Sequence, residues 1–500
     1  MMTGMSSQDK FEQLREMTEQ LCRFVTQAAE GGEPIHAVEQ GAFDQLLQMG
    51  HQVLAAFVGM QGTGDLGPEQ ALPDGRTVCR LEQRHCRRYR SIFGDITIER
   101  TVYGTREGQK IAFVPLDERL GLPESDYSFV LQDWAQAFGT EHPFAKVQQV
   151  LQRIFKVTVP VDSLERMSRQ MATPVATFRQ LRPAPPPQEE GSILVVTADN
   201  KGIPMRRPAE APPAGARRKK GEKANKKQMA TVGCVYTVQP KPRTPEQVTA
   251  ALFRERPPAH GEQDNDPQAQ HKRICSWLSN DEHRGQDQVF AWIAQEVEAR
   301  WPVTEAPMVC LMDGQVSLWN DQAAHLPSGP KVEILDLLHV SSRVWDAAHL
   351  FHREGSDEAV AFARERILRI LQGTVGHVIG GLRQMATKQG LRGGKLRRLE
   401  QICTYFKNNQ SRMRYHEYLA AGYPIATGVI EGACRYVIKD RMERAGMRWT
   451  VAGAQAMLDL RTTYINDQWE QYQNWRIERE IERLHPHRQA INEAQWPLAA

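Results

Sequence analysis

The stretch ILVVTADNKG, Ile193 to Gly202, decides how the chain is read. Its first five residues (Ile193, Leu194, Val195, Val196, Thr197) are strand-compatible and show no polar alternation. That pattern suits a central strand covered on both faces, which pushes Asp199 to the rim of a sheet ahead of a glycine turn. The pattern recurs. PMVCLMDGQ, Pro307 to Gln315, is a second apolar run closed by Asp313 and Gly314, and VEILDLLHV, Val332 to Val340, is a third strand-like run carrying Asp336 and His339. MATVGCVYTV, Met229 to Val238, reads as another strand of the same sheet. Several strands thus place carboxylates near one edge. A further acid, Glu431, lies in GVIEGACRYVIKDRMERAG, whose apolar spacing and closing Gly446 predict a helix with a glycine stop.

Five hundred residues exceed what one core usually serves, so two to four domains are expected. The formal net charge is only +3, so a polyanion partner would be held by local basic patches and not by the field of the whole molecule. The eight cysteines (Cys22, Cys79, Cys86, Cys234, Cys275, Cys310, Cys403, Cys434) are scattered without a CxxC pair. They read as reduced thiols of a cytoplasmic protein, not as a disulfide framework or a zinc ribbon. The N-terminus has no continuous apolar core, and no later segment offers about 18 uncharged apolar residues, so neither secretion nor membrane insertion is expected.

Working outward, residues 1–62 read as a helical hairpin, with Leu14, Met17, Leu21 and Phe24 on one helix and Leu46, Met49, Val53 and Phe57 on the other. Residues 63–124 form a small basic β unit in which Gly94-Asp95 makes a turn. Its Arg80, Arg84, Arg87, Arg88 and Arg90 either track a phosphate backbone or make a solvated strand face. Residues 125–185 resolve into three short helices, and FAKVQQVLQRIFKVTVPVDSLERMSRQM resembles a helix-turn-helix with Asp162 or Ser163 as cap and Arg166, Arg169 and Gln170 pointing outward. Pro183 to Gln188 reads as a stiff linker. The run from Arg206 to Gln228 is nearly devoid of apolar residues and densely positive, as expected of a mobile loop ordered by a polyanion. Residues 244–300 read as a polar, partly helical insertion, and 341–424 as a large helical one within a domain spanning 186–446. Residues 447–500 form C-terminal helices, and no internal repeat is found.

A strand with an acidic tip, a hairpin strand, a second acidic strand and a late helix bearing a third acid is the order expected of an RNase H-like fold. Its chemistry uses carboxylates to bridge two divalent cations about 3.5 to 4 Å apart, and hard oxygen ligands select Mg²⁺ or Mn²⁺. An Asp at a strand end is by itself most often a turn or cap residue. Three acids in this order, with basic material around them, carry more weight.

From Ile193 to Asn466 the chain resembles the DDE transposases of bacterial insertion sequences, most closely the ISKra4 family. The resemblance rests on VVTADNKGIPMRRP, KKQMATVGCVYTV, VCLMDGQVSLW, VEILDLLHVSSRVWDAAHLF, AAGYPIATGVIEGACRYVIKDRMERAGMRWT and GAQAMLDLRTTYIN. It implies that Asp199, Asp313 and Glu431 are the catalytic acids and hold two Mg²⁺ or Mn²⁺ ions. It also puts Asp336 and His339 on the acid-x-x-His signature of IS256-like and Mutator-like relatives. The implied partner is double-stranded DNA, as terminal inverted repeats and target, bound by a homodimer or higher oligomer in the bacterial cytoplasm near the nucleoid. One departure stands out: similar proteins carry a cysteine pair near RTVYGTREGQKIAFVPLDERLGLP, and this chain has none there.

Other residues have plainer readings. His349 and His352 lack a partner cysteine and read as surface or core histidines. Trp319 and Trp345 read as packing residues, with stacking on a flipped DNA base as the alternative. At α-helical spacing Arg435 and Lys439 share the face of Glu431, which puts them, with Arg166, Arg169, Arg206, Arg207, Lys219 and Lys220, among the candidate DNA contacts. Two functions remain open: an active transposase cutting and joining DNA at its element's ends, or a catalytically inactive, domesticated DNA-binding protein derived from one. A structure-selective nuclease would not need so large an N-terminal DNA-reading region.

Overall fold

The computed structural model describes residues 7–105, 111–206, 227–255, 268–301, 307–444 and 446–493, together with 496 and 498. The chain divides into two units, one of residues 1–174 and 468–500, the other of residues 175–467. The C-terminal helices are therefore shared out: Val451–Ile465 belongs to the second unit and Trp469–Leu484 to the first.

The second unit is mixed α/β. Its sheet consists of β1 (Ile193–Pro204), β2 (Lys227–Val238), β3 (Gln270–Leu278), β4 (Met308–Met312) and β5 (Lys331–Leu335), in the order β5-β4-β1-β2-β3. Strands β1, β2 and β3 run antiparallel in sequence, while β4 is parallel to both β1 and β5. The apolar runs explain the layout. All of Ile193 to Ala198 and all of Met308 to Met312 are buried, as strands covered on both faces require. Leu194, Val196, Cys310 and Met312 share one core cluster with Val289, Phe290, Ile293 and Val297 of helix α1 (Gly285–Arg300). The absent side chain of Gly233 lets α1 approach β2: a Cβ there would lie 2.5 Å from Val289 Cγ1.

Four sequence expectations change in this unit. The region 244–300 is not simply a polar insertion, because it holds β3 and α1. β1 does not turn at Gly202: its ladder with β2 continues to Pro204 opposite Lys227, and it is pairing with β4 that stops at Val196. The third acidic run is not one strand, since β5 ends at Leu335 and Asp336 starts helix α2 (Leu337–Phe351), placing His339 in a first helical turn. Finally, the helix of Glu431 is composite: α from Gly428 to Ala433, π from Cys434 to Lys439, then α from Asp440 to Met442. The buried Arg461 guanidinium donates to the carbonyls of Tyr436 and Val437 within the π segment. The helical insertion is present as Asp357–Leu371, Val375–Lys388, Gly393–Asn408 and Tyr415–Ala420.

Both outer edges of the sheet are sealed by side chains. On β3, Asn466 accepts from the Ile274 N–H at 2.9 Å and donates to the Ile274 carbonyl at 2.8 Å, while Gln455 accepts from the Leu278 N–H. On β5, the hydroxyls of Tyr415 and Tyr418 donate to the carbonyls of Leu335 and Glu333. Open sheet edges invite pairing with other chains, and these bonds occupy them.

In the first unit, helices Ser7–Glu30 and Ile35–Met60 form the expected hairpin, and His85–Ser91 pairs antiparallel with Gly94–Arg100. Helices Phe129–Glu141, Phe144–Phe155 and Val161–Ala172 follow. The last begins after Pro160 with no side-chain cap, so neither Asp162 nor Ser163 caps it; Pro160 is itself the N-cap, its carbonyl accepts from the Ser163 and Leu164 N–H groups, and Asp162 lies in the first turn. Among the described residues no helix is long and apolar enough to cross a membrane.

Candidate metal centre

Strand register sets the site. β1 and β4 pair as far as Val196 with Cys310, and Asp199 and Asp313 each follow three residues beyond that last pair. β4 and β5 pair Met312 with Leu335, so one residue further on Asp313 and Asp336 are level. The Asp336 N–H donates to the Met312 carbonyl at 2.9 Å and fixes that step. Asp313 and Asp336 thus follow directly on the ends of β4 and β5, and Asp199 follows the part of β1 that pairs with β4.

Each acid meets different surroundings. Asp199 accepts from the Asn200 N–H at 2.7 Å, and burial, with the Asp199 charge adding to it, pushes the nearby Cys434 thiol up. Asp313 accepts from the Gln315 N–H at 2.8 Å; burial pushes its carboxyl up, and the negative charges of Asp199 and Asp336 add to the rise. Asp336 is fully buried. Its two oxygens accept from the N–H groups of Leu338, His339 and Thr427 and from His339 Nδ1 at 2.6 Å. Burial alone would raise that carboxyl, but the His339 and Thr427 hydrogen bonds hold it below the usual range. Glu431 is exposed, and its carboxyl is raised by partial burial and by the Asp336 charge.

The structure brings Glu431 to Asp336 and His339: ligand-capable atoms of these three lie within 4.8 Å of one another, the one such group of three among the described residues. Asp199 and Asp313 stand outside that distance, although both their charges bear on its members.

Several supporting residues were not foreseen. Trp319, read as packing, is buried, and its indole N–H donates to the Asp313 carbonyl at 2.7 Å. Tyr405 packs on Gly314, where a Cβ would run into the ring. Burial and the Asp313 charge push the Tyr405 phenol up to about 12. Neither contact has a signal in local sequence, whereas Cys434, three residues after Glu431, was open to a helical-face argument. His349 and His352 pack on Trp345 and Phe362.

The candidate DNA contacts are dispersed. Arg166 is exposed and Arg169 half-buried in the first unit; Arg206 is exposed just beyond β1. Arg207, Lys219 and Lys220 lie outside the described residues. Arg435 is 76% exposed and 3.8 Å from Asp440, and Lys439 is exposed; the π segment takes both off the α-helical spacing assumed for them. The five arginines of the basic β unit have acidic partners: Arg80 with Asp65, Arg84 with Glu99, Arg87 with Asp117, and Arg88 and Arg90 with Asp95. That pairing favours a structural role for the strand face.

No protein-family model matches the chain, and no curated protein matches it in sequence.

Proposed function

We propose that the protein is a DDE-type transposase with an RNase H-like core, performing metal-dependent cleavage and strand transfer on DNA at the ends of an insertion sequence. The observation that carries this reading is that Asp199 and Asp313 each follow by three residues the paired positions Val196 and Cys310 of parallel strands, near enough that, with burial, the Asp199 charge raises both the Asp313 and the Glu431 carboxyls. The strand order β5-β4-β1-β2-β3, with β1, β2 and β3 antiparallel and β4 and β5 parallel to β1, supports the core assignment.

The donor chemistry fits a hard divalent cation: carboxylates crowd together, and the Asp313 carboxyl is raised by burial and by its acidic neighbours. In this reading Asp199, Asp313 and Glu431 would hold two Mg²⁺ or Mn²⁺ ions, whose chemistry would be to activate a water or 3′-hydroxyl and to stabilise the leaving oxygen of a phosphodiester. Asp336 plays another part, because all its hydrogen bonding is spent on Leu338, His339 and Thr427. It orients His339 and anchors the return of the chain. Trp319 and Tyr405 hold the Asp313–Gly314 backbone, so the carboxylate keeps its direction when DNA enters. Arg435 and Lys439, exposed beyond Glu431, serve the phosphate backbone, while Arg166 and Arg169 read the terminal repeats. A homodimer or higher oligomer would hold two ends together.

The test uses the full chain, Mg²⁺ and a DNA fragment containing its own gene with the genomic flanks. Metal-dependent strand cuts at the two element ends are expected. DNA binding with no cleavage in Mg²⁺ or Mn²⁺ would leave the alternative, an inactive DNA-binding descendant.

A further inference from the structure

We propose that His339 is itself a metal ligand through Nε2, so that the site takes a divalent transition-metal cation of the Mn²⁺ kind through one nitrogen donor beside the Glu431 carboxylate, not through oxygen alone. The inference rests on the reading of the carboxylates given above.

The hydrogen bond between His339 Nδ1 and Asp336 Oδ2, at 2.6 Å, assigns the tautomer. An ionised carboxylate can only accept, so Nδ1 carries a proton and Nε2 is the nitrogen left to face the carboxylates; the Asp336 hydrogen bond and the surrounding acids hold a positive charge there, a proton's or a cation's. Asp336 cannot swing away to compete, because Leu338 and Thr427 hold its other oxygen. A histidine whose far nitrogen is locked by a buried carboxylate is the arrangement that orients metal-binding imidazoles and raises their basicity. Glu431 lies within reach, and the Asp199 and Asp313 charges bear on the same space. His339 has 40% of its side chain exposed, so the ring is open to an entering ion. An imidazole added to carboxylates shifts preference from Mg²⁺ towards Mn²⁺, Co²⁺ and Zn²⁺.

The test is pulsed electron paramagnetic resonance on the metal-stripped full chain reloaded with Mn²⁺. Nitrogen modulation from a directly bound ¹⁴N is expected; it should change to the ¹⁵N pattern on ¹⁵N-histidine labelling and vanish in His339→Gln with Mn²⁺ still bound. The labelled, unmutated chain makes the result independent of how the variant folds. Bound Mn²⁺ without nitrogen modulation, or modulation persisting in a folded His339→Gln, overturns the assignment and leaves the carboxylate site standing. A chain that binds no Mn²⁺ overturns both.

Discussion

The Asp336 carboxylate accepts the backbone N–H of Thr427 at 2.9 Å across 91 residues of sequence. The Leu337 N–H donates to the Ile425 carbonyl beside it, so the helical insertion leaves and rejoins the sheet at one point. Glu431 reaches the carboxylates because its segment is anchored four residues earlier.

Asp336→Ala removes a buried acceptor and a helix cap together. Losing the cap costs about 1 kcal/mol, and the orphaned Thr427 N–H a further ~1–3 kcal/mol. Urea unfolding should show a loss of about 3 kcal/mol, and less for Asp336→Asn, which keeps one acceptor oxygen. Wild-type stability in Asp336→Ala would remove the anchor from the account.

Asp199→Asn, Asp313→Asn and Glu431→Gln should each bring strand cleavage below detection while leaving binding to the element's ends intact, because the N-terminal reader does not depend on them. Asp440→Asn is the control: Asp440 lies beyond the π segment, 3.8 Å from Arg435. Normal cleavage by Glu431→Gln beside a dead Asp440→Asn would move the third acid along the helix.

Gly314→Ala drives a methyl group into the Tyr405 ring, an overpacking cost of about 1–3 kcal/mol that should shift the Asp313 turn. Weaker Mn²⁺ binding is expected, with recovery in Gly314→Ala/Tyr405→Leu. If the double variant binds no better than the single one, the ring does not position Asp313.

Glu118 supplies a pH test in the other unit. Burial pushes its carboxyl up to about 7, with the Asp117 charge adding to the rise. The folded state then binds a proton more tightly than the unfolded chain, so its contribution is complete below the unfolded value near 4.5 and is lost as pH rises to about 7. Glu118→Gln should therefore raise the thermal midpoint at pH 8 and leave it unchanged at pH 4. Equal midpoints for variant and wild type at pH 8 would contradict this.

Neutralising Arg207, Lys219 and Lys220 should weaken binding to all DNAs alike and lower the salt slope by about 0.9 for each phosphate that no longer meets a cation. Arg166→Ala with Arg169→Ala should instead abolish the preference for the terminal repeat. Identical behaviour of both sets would refute the division of labour.

The central strands were legible because burial on both faces leaves an unbroken apolar run, as in Ile193 to Ala198 and Met308 to Met312. β3 was not, because it opens on Gln270, His271, Lys272 and Arg273; the buried Arg273 is satisfied by Glu296, 23 residues away, and by the Pro183 carbonyl, 90 residues away. Asp336 was legible as an acid but not as a cap, since VEILDLLHV stays apolar across the junction of strand and helix. The π turn after Glu431 leaves no mark in residue spacing, and it moves Arg435 and Lys439.

The seal on β3 has a consequence for synthesis. Asn466, which occupies the Ile274 backbone, lies 192 residues downstream of it. At roughly 5–20 residues per second the ribosome needs about 10–40 s to supply it. Throughout that interval the nascent sheet presents a bare, adhesive flank. A chain stopped before the Val451–Ile465 helix would keep that flank permanently, and such fragments should depend on chaperones to stay dispersed.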